Sequence, residues 1–210
     1  VDSSASLAPK KLRCSPKPPQ YSSSPHPRLG AATFSVRGPW LFTSNLQSLS
    51  SVNSRPMILP IRSIGDPVLK KVAKDITPDH PGLKQFIADL YETMYAASGV
   101  GLAAPQVGES IRLFVVDCAS FAEDEDGNPT EDAHLKDFKK VFINPYIVEE
   151  EGEEWAFEEG CLSIPGIRED VDRQPKITMR YLDEKFKPHE ETYDGFAARV
   201  LQHEHDHLDG

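Results

Sequence analysis

The pattern of apolar and polar residues changes at Met57. Residues 1–56 are rich in Ser and Pro and show neither the helical nor the strand period of apolar side chains. Such a segment buries too little apolar surface to offset the entropy lost on ordering, so we predict that it is disordered. Residues 57–210 show both periods, and we predict that they form one folded domain.

The clearest helical period lies in the stretch PGLKQFIADLYETMYAAS, where the apolar residues fall on one stripe. They are Leu83, Phe86, Ile87, Leu90, Tyr91, Met94 and Tyr95. This spacing predicts an amphipathic helix that ends at Gly99. A shorter helix is predicted in DPVLKKVA, where Asp66 is a candidate N-cap and Pro67 occupies the first helical position. The stretch YDGFAARVLQHEHDHL predicts a further helix over 193–208.

Short runs rich in apolar and β-branched residues predict β-strands in MILPI, IRLFVVDCA, KVFINPYIVEEE and KITMRYLDEKF. The acidic stretch FAEDEDGNPTEDAH is predicted to be a surface loop. A calcium loop aligned on Gly127 would place Ala122 and Ala133 at its first and last ligand positions, so that alternative fails. Because helices and strands follow no regular βαβ rhythm, we predict an α+β fold.

Charge divides the chain at the same place. Seven of the 23 basic residues and one of the 33 acidic residues lie in 1–56, which leaves 16 basic and 32 acidic residues, a formal charge of −16, in 57–210. So acidic a domain argues against direct nucleic-acid binding, which requires clustered Lys and Arg. No apolar run reaches the length of a membrane span. The basic leader is typical of an organelle transit peptide; alternatively, it is non-native sequence upstream of a start at Met57.

The last predicted helix carries a candidate metal pair. His203 and His207 are four residues apart and therefore share one face, with Glu204 beside them, which is the two-ligand helix pattern of hydrolytic metal enzymes. An apolar stripe leads to this pair, so the histidines are expected in the interior, where unpaired polar groups are costly. The alternative is an amphipathic helix with incidental histidines. His205 points away from the pair and is predicted to lie at the surface.

A catalytic metal site usually needs a third protein ligand and one open position. The residues after His207 offer only Asp209, which faces away, so the third ligand must lie upstream. Cys161 in EEGCLSIPG is the best candidate, because its neighbours place it at the edge of an element; a buried apolar cysteine is the alternative. One Cys with two His suits iron(II) or zinc. The chain's three cysteines are too few for a disulfide framework, which indicates a reducing compartment.

The stretch SGVGLAAPQVG is the other unusual feature. It matches the dinucleotide-binding fingerprint formally, but a helix precedes it and a strand follows, so the context is inverted and the match is rejected. Gly101 would allow a ligand to approach the backbone closely, and Gln106 could donate a hydrogen bond to a developing oxyanion. A helix C-cap at Gly99 followed by a turn is the alternative without function.

Together, GVGLAAPQ, EGCLSIP and QHEHDHLDG resemble the three signature motifs of peptide deformylases, and the resemblance covers about 57–210. It implies an α+β fold with antiparallel strands packed around a central metal-binding helix. It also implies a hydrolase that removes the formyl group from the N-terminal formyl-methionine of nascent chains and releases formate. A metalloprotease of the two-histidine helix class and a metal-stabilised binding module remain as alternatives.

The resemblance assigns roles to residues. The implied metal ligands are Cys161, His203 and His207, and the ion is expected to be Fe(II) physiologically, with Zn(II), Ni(II) or Co(II) as substitutes. The implied catalytic groups are Glu204 as general acid and base, with the Gln106 side chain and the Leu162 backbone N–H as the oxyanion site. The implied substrate-binding residues are Gly101 and Val100.

The resemblance also implies partners and a location. The expected partners are N-formyl-methionyl nascent peptides and, transiently, the ribosome; no membrane association is expected. Family members continue beyond QHEHDHLDG, so we expect a C-terminally truncated catalytic domain whose metal-binding helix has an unsupported last turn. The expected location is the bacterial cytoplasm, or an organelle interior if 1–56 is a genuine transit peptide.

Overall fold

The computed structural model describes residues 55–124 and 126–210, so the predicted disorder of 1–56 falls almost wholly outside the described residues. Two α-helices and seven β-strands follow one another there. The elements are β-strands β1 Gly101–Ala103, β2 Leu113–Asp117, β3 Lys139–Glu151, β4 Trp155–Cys161, β5 Ile164–Arg173, β6 Lys176–Leu182 and β7 Pro188–Asp194, and helices α1 Leu83–Ala96 and α2 Gly195–Asp209. No helix among these residues combines the length and the apolar character needed to cross a membrane.

Five strands form one antiparallel sheet in the order β1-β2-β3-β6-β7, and β4 pairs with β5 in a separate hairpin. Alternation along β2 assigns its side chains to two core clusters. Phe114 packs in the cluster that contains Leu201 of α2, whereas Val115 packs in the cluster that contains Leu90 of α1. The sheet therefore lies between the two helices. The predicted α+β class is confirmed.

Helix α1 forms where the apolar stripe predicted it. Leu90 and Met94 are fully buried, and Tyr95 at the edge of the stripe is 45% exposed. The helix ends at Ala96, before the predicted end at Gly99, because the Gly99 N–H bonds back to the Met94 carbonyl in the turn that follows.

Two predictions near the start of the domain were wrong. MILPI is not a strand: the N–H groups of Met57 and Leu59 donate to the side chains of Asp89 and Thr93 on α1, each at 2.8 Å, so the segment packs on a helix instead of joining a sheet. DPVLKKVA forms only a single 3-10 turn, Pro67–Lys70, which Asp66 caps as predicted.

Strands β1, β4, β5 and β7 were not predicted. β4 and β5 are exposed along most of their length and carry charged residues, so they lack the apolar alternation that indicates a half-buried strand. β1 is only three residues long. These strands form through pairing with neighbouring strands, and their own composition does not predict them.

Two expectations for α2 were also wrong. The last turn is supported: the Ala73 N–H donates to the Leu208 carbonyl at 2.8 Å, and Arg112 donates to the Asp209 carboxylate at 2.8 Å. His205 is not a surface residue; it is 9% exposed and its Nε2 lies 3.0 Å from the guanidinium of Arg112. Helix α2 is therefore buried on more than one face, and its single apolar stripe does not predict the burial of His205.

Candidate metal centre

Helix α2 and the β4–β5 hairpin bring together the three residues that the sequence singled out as ligands. Cys161 is the last residue of β4, and His203 and His207 lie one turn apart on α2. Their ligand atoms all lie within 4.8 Å of one another, and Cys161 Sγ is 3.3 Å from His207 Nε2. One thiolate and two imidazoles are a donor set that suits Fe(II) or Zn(II), and three protein ligands leave an open position. The residues present therefore fit a catalytic metal ion.

The electrostatics of the cluster favour the ligand form of the cysteine. Burial alone would raise the pKa of the Cys161 thiol, but contacts with His203 and His207 outweigh it and lower the pKa to about 5. Burial would lower the pKa of His203, but its contacts with Cys161 and Glu159 raise it above its ordinary value. A lowered thiol pKa favours the deprotonated sulfur that a metal ion requires as a ligand.

Glu159 holds the ring of His203 in one orientation. One carboxylate oxygen accepts from His203 Nδ1 at 2.9 Å, which leaves the other ring nitrogen available to a metal ion. The same carboxylate accepts from Arg173 at 2.8 and 3.0 Å and from Arg199 at 2.6 Å. Burial would raise the pKa of Glu159, but these donors hold it at about 2. Sequence reasoning missed Glu159, because nothing local distinguishes it from Glu158.

Glu204 is buried beside the cluster, with 4% of its surface exposed. Burial raises the pKa of its carboxyl above the ordinary value, and the carboxyl interacts electrostatically with His203 and His207. Its Oε2 has no hydrogen-bond partner within 55–124 and 126–210. A buried polar atom of this kind is usually paired with a water or a ligand, so the unpaired oxygen fits a site for small molecules.

Gly101 lies directly against Glu204. A Cβ added at Gly101 would come within 2.7 Å of Glu204 Cδ, closer than real Cβ contacts. The sequence suggested that Gly101 makes room for a ligand; in the structure it makes room for the carboxylate. The Asp117 N–H donates to the Val100 carbonyl at 2.9 Å. Among residues 55–124 and 126–210, β1 pairs with β2 alone and is an edge strand of the sheet.

The Gln106 side chain is held with its amide nitrogen towards the cluster. Its Oε1 accepts from the Ala103 N–H at 2.8 Å, while its Nε2 lies 3.3 Å from Ser163 Oγ and 3.8 Å from Cys161 Sγ. Leu162 lies in the turn between β4 and β5, between Cys161 and Ser163 in the sequence. The Gln106 amide nitrogen therefore faces the turn that contains Leu162.

A segment before α1 forms backbone hydrogen bonds both to Gln106 and to the turn between β4 and β5. The Arg62 N–H donates to the Gln106 carbonyl at 2.7 Å, and the Ile64 N–H donates to the Ser163 carbonyl at 2.8 Å. Sequence reasoning missed this contribution, because backbone hydrogen bonds leave no signature in residue type.

Comparison with known proteins agrees with this geometry. The family model described as polypeptide deformylase matches residues 58–210. The chain is 61% identical over 154 residues to the peptide deformylase of Christiangramia forsetii, covering 73% of this chain and 79% of that protein. It is 60% identical to that of Flavobacterium johnsoniae over the same shares of both proteins.

Solved structures give the same result. The crystal structure of peptide deformylase from Thermotoga maritima covers 72% of this chain and 92% of its own, with 42% identity and a TM-score of 0.59. The crystal structure of a peptide deformylase from Legionella pneumophila covers 72% of this chain and 81% of its own, with 41% identity and a TM-score of 0.62. This chain therefore belongs to the polypeptide deformylase family, the metal-dependent hydrolases that remove the N-formyl group from newly synthesised polypeptides.

Proposed function

We propose that Cys161, His203 and His207 hold one divalent metal ion in this chain, and that Glu204 moves the proton during deformylation. The observation that carries the proposal is the convergence of the three ligand atoms within 4.8 Å, although the sulfur and the imidazoles come from different elements. A bound ion would supply Lewis acidity and lower the pKa of a water molecule.

Glu204 takes a proton from the attacking water and delivers it to the departing amine. A carboxyl whose pKa is raised by burial is suited to both transfers, because a general acid and base works best with a pKa near the operating pH. Oε2, which has no hydrogen-bond partner in the described part of the chain, can receive the proton, and Gly101 leaves the carboxylate the space it needs.

The Gln106 amide and the Leu162 backbone N–H stabilise the negative charge that develops on the formyl oxygen. This assignment is supported by the bond from Ala103 to Gln106 Oε1, which turns the Nε2 donors towards Cys161. Donors held in place before the reaction stabilise a transition state without the cost of reorienting.

The formyl-methionyl peptide lies in extended form along the open edge of β1, where Val100 and Gly101 offer backbone groups. Addition of a peptide strand to an exposed sheet edge is a common mode of recognition. Because the substrate is a nascent chain, we also propose transient association with the ribosome.

The metal we propose for physiological conditions is Fe(II), with Zn(II), Ni(II) or Co(II) as substitutes, because thiolate and imidazole ligands accept all of these ions. A thiol of lowered pKa such as Cys161 survives best where disulfides do not form, so we propose a reducing compartment, the bacterial cytoplasm or an organelle interior.

Release of formate tests the proposed function. The protein is loaded with Ni(II) or Co(II) and given a formyl-methionyl peptide and, separately, the same peptide without the formyl group. We expect formate from the first and no cleavage of the second. Cleavage of internal peptide bonds in both peptides would support the metalloprotease alternative instead.

A further inference from the structure

We propose that Arg199 is a positioning residue that holds the β4–β5 hairpin on α2 and thereby sets the distance between the Cys161 sulfur and the two imidazoles. The inference rests on the proposed metal site. It adds that a residue outside the ligand set is needed to hold the hairpin on α2.

The requirement arises from the topology. Cys161 belongs to the hairpin, which shares no strand pairing with the five-stranded sheet, whereas His203 and His207 belong to α2. Backbone hydrogen bonds within the sheet therefore do not determine where the sulfur lies relative to the imidazoles. Apart from the Ile64–Ser163 backbone bond at its turn, side-chain contacts with α2 hold the hairpin against the helix.

Arg199 makes such contacts with both strands of the hairpin. Its side chain is 2% exposed; Nη2 donates to the Trp155 carbonyl on β4 at 2.7 Å, and Nη1 donates to the Val171 carbonyl on β5 at 3.0 Å. Nη1 also donates to Glu159 at 2.6 Å, two residues before Cys161. One buried guanidinium thus contacts the hairpin at three points.

Aromatic rings hold the guanidinium in place. Its carbon lies 4.1 Å from the centre of the Trp155 ring and 5.3 Å from that of Phe157, distances at which a cation is attracted to an aromatic face. Arg199 precedes His203 by four residues, so both side chains lie on the same face of α2. The planar, branched donor group matches this arrangement, whereas a lysine ammonium offers a single point of charge.

The other bridges between the hairpin and α2 are fewer or more exposed. Arg173 donates to Asp206 at 2.9 Å, but the Asp206 side chain is 59% exposed. Gln202 donates to the Gln174 carbonyl at 2.9 Å, just beyond the end of β5. A further bridge in the described part of the chain runs from His203 to Glu159, but it is made by a proposed ligand. Outside the ligand set, Arg199 is the buried α2 residue that bonds to both strands of the hairpin.

The test compares Co(II) retention in full-length variants. Arg199→Met removes the three hydrogen bonds but keeps an apolar side chain of similar length, and Arg199→Lys keeps the positive charge. After loading with Co(II), the rate of metal loss to a chelator and the thiolate–Co(II) absorption band are measured. We expect about 10- to 100-fold faster loss and a shifted band in Arg199→Met, with Arg199→Lys between it and the wild type.

The matched control is Arg112→Met. Arg112 is also buried, at 3% exposure, and also binds α2, but its partners are Asp209, His205 and the Pro145 carbonyl, none of them in the hairpin. Arg112→Met should lower the unfolding temperature. It should change the rate of Co(II) loss by less than about twofold, well below the change expected when groups around the ligands are removed.

Wild-type rates of Co(II) loss in Arg199→Met would overturn the inference, as would equally fast loss in Arg112→Met. If Arg199→Met does not fold, wild-type retention by Arg199→Lys overturns it and intermediate retention supports it. A wild-type protein that binds no Co(II) would instead contradict the proposed function, so the two failures are distinguishable.

Discussion

The absence of a side chain at Gly101 leaves room for the carboxylate of Glu204, the proposed general acid and base. The space that a Cβ would occupy at Gly101 is filled by the Glu204 carboxylate, which is itself buried. The spacing His203-Glu204 was recognisable from the sequence, because neighbouring and i, i+4 positions on a helix are related by local geometry. The packing against Gly101 was not, because the two residues are distant in the chain.

Glu204→Gln is expected to retain the metal and to lose turnover. Glutamine preserves the size of the side chain but cannot carry the proton, and positioned acid–base groups contribute about 10²–10⁴-fold. The measurement is formate release per bound metal ion. Substantial activity in the variant would contradict the role of Glu204.

Gly101→Ala is expected to lower kcat/KM by about 10²-fold, because displacing a catalytic group by even one ångström costs that much. The three atoms nearest to the added methyl group all belong to Glu204, so the collision is with the carboxylate. Metal content should stay at the wild-type level. Unchanged kcat/KM would show that Glu204 tolerates the displacement.

Helices and strands differ in how far their own residues specify them. Helix α1 and strand β6 follow from apolar periodicity, because each buries one face in the core. Strands β2 and β3 follow from apolar runs, because both faces are buried over several residues. The β4–β5 hairpin, which carries Cys161, is largely exposed and polar, so its sequence contains no such period. It is held by contacts with α2 that involve Arg173 and Arg199.

The Glu191 carboxylate on β7 is expected to make the stability of the sheet depend on pH. Burial would raise the pKa of Glu191, but hydrogen bonds from Lys140 and Tyr193 lower it below the ordinary value. A carboxyl with a lowered folded-state pKa stabilises the protein above its unfolded pKa, about 4.3 for Glu, and this contribution is lost as the pH falls through the folded pKa.

We therefore expect the wild type to unfold at a higher temperature than Glu191→Gln at neutral pH. The difference should shrink as the pH falls below about 4.3. His189 lies 3.5 Å from the Glu191 carboxylate, so His189→Gln serves as the control for its titration. A difference that is constant from neutral to acid pH would contradict the contribution of Glu191.

The metal centre joins elements that the chain itself keeps apart, so its loading should affect the stability of the whole domain. An ion that binds only the folded state stabilises it by about 2.7 kcal/mol at 100 times its Kd, which corresponds to roughly 5–10 °C for a domain of this size. Treatment with a chelator should lower the unfolding temperature by this amount.

Cys161→Ser is the matched variant for that measurement. It should bind the ion more weakly and show a smaller difference between the loaded and chelated forms, because a hydroxyl is a poorer ligand than a thiolate for these ions. An equal difference in wild type and variant would show that Cys161 is not a ligand.

The residues proposed to carry the chemistry were selected from the amino-acid sequence by itself. The spacing of His203 and His207 shows that they share a helix face, since an α-helix has the same period in every protein. The motif around Cys161 indicates the third donor through its resemblance to a known family.

The partners of His203 and His205 were known only from the tertiary structure. Glu159 lies 44 residues from His203, and Arg112 lies 93 residues from His205, so no local rule links them. The distance between the sulfur and the imidazoles depends on how the hairpin packs on α2. Packing of this kind results from contacts between segments distant in the chain, and periodicity within one segment carries no information about it.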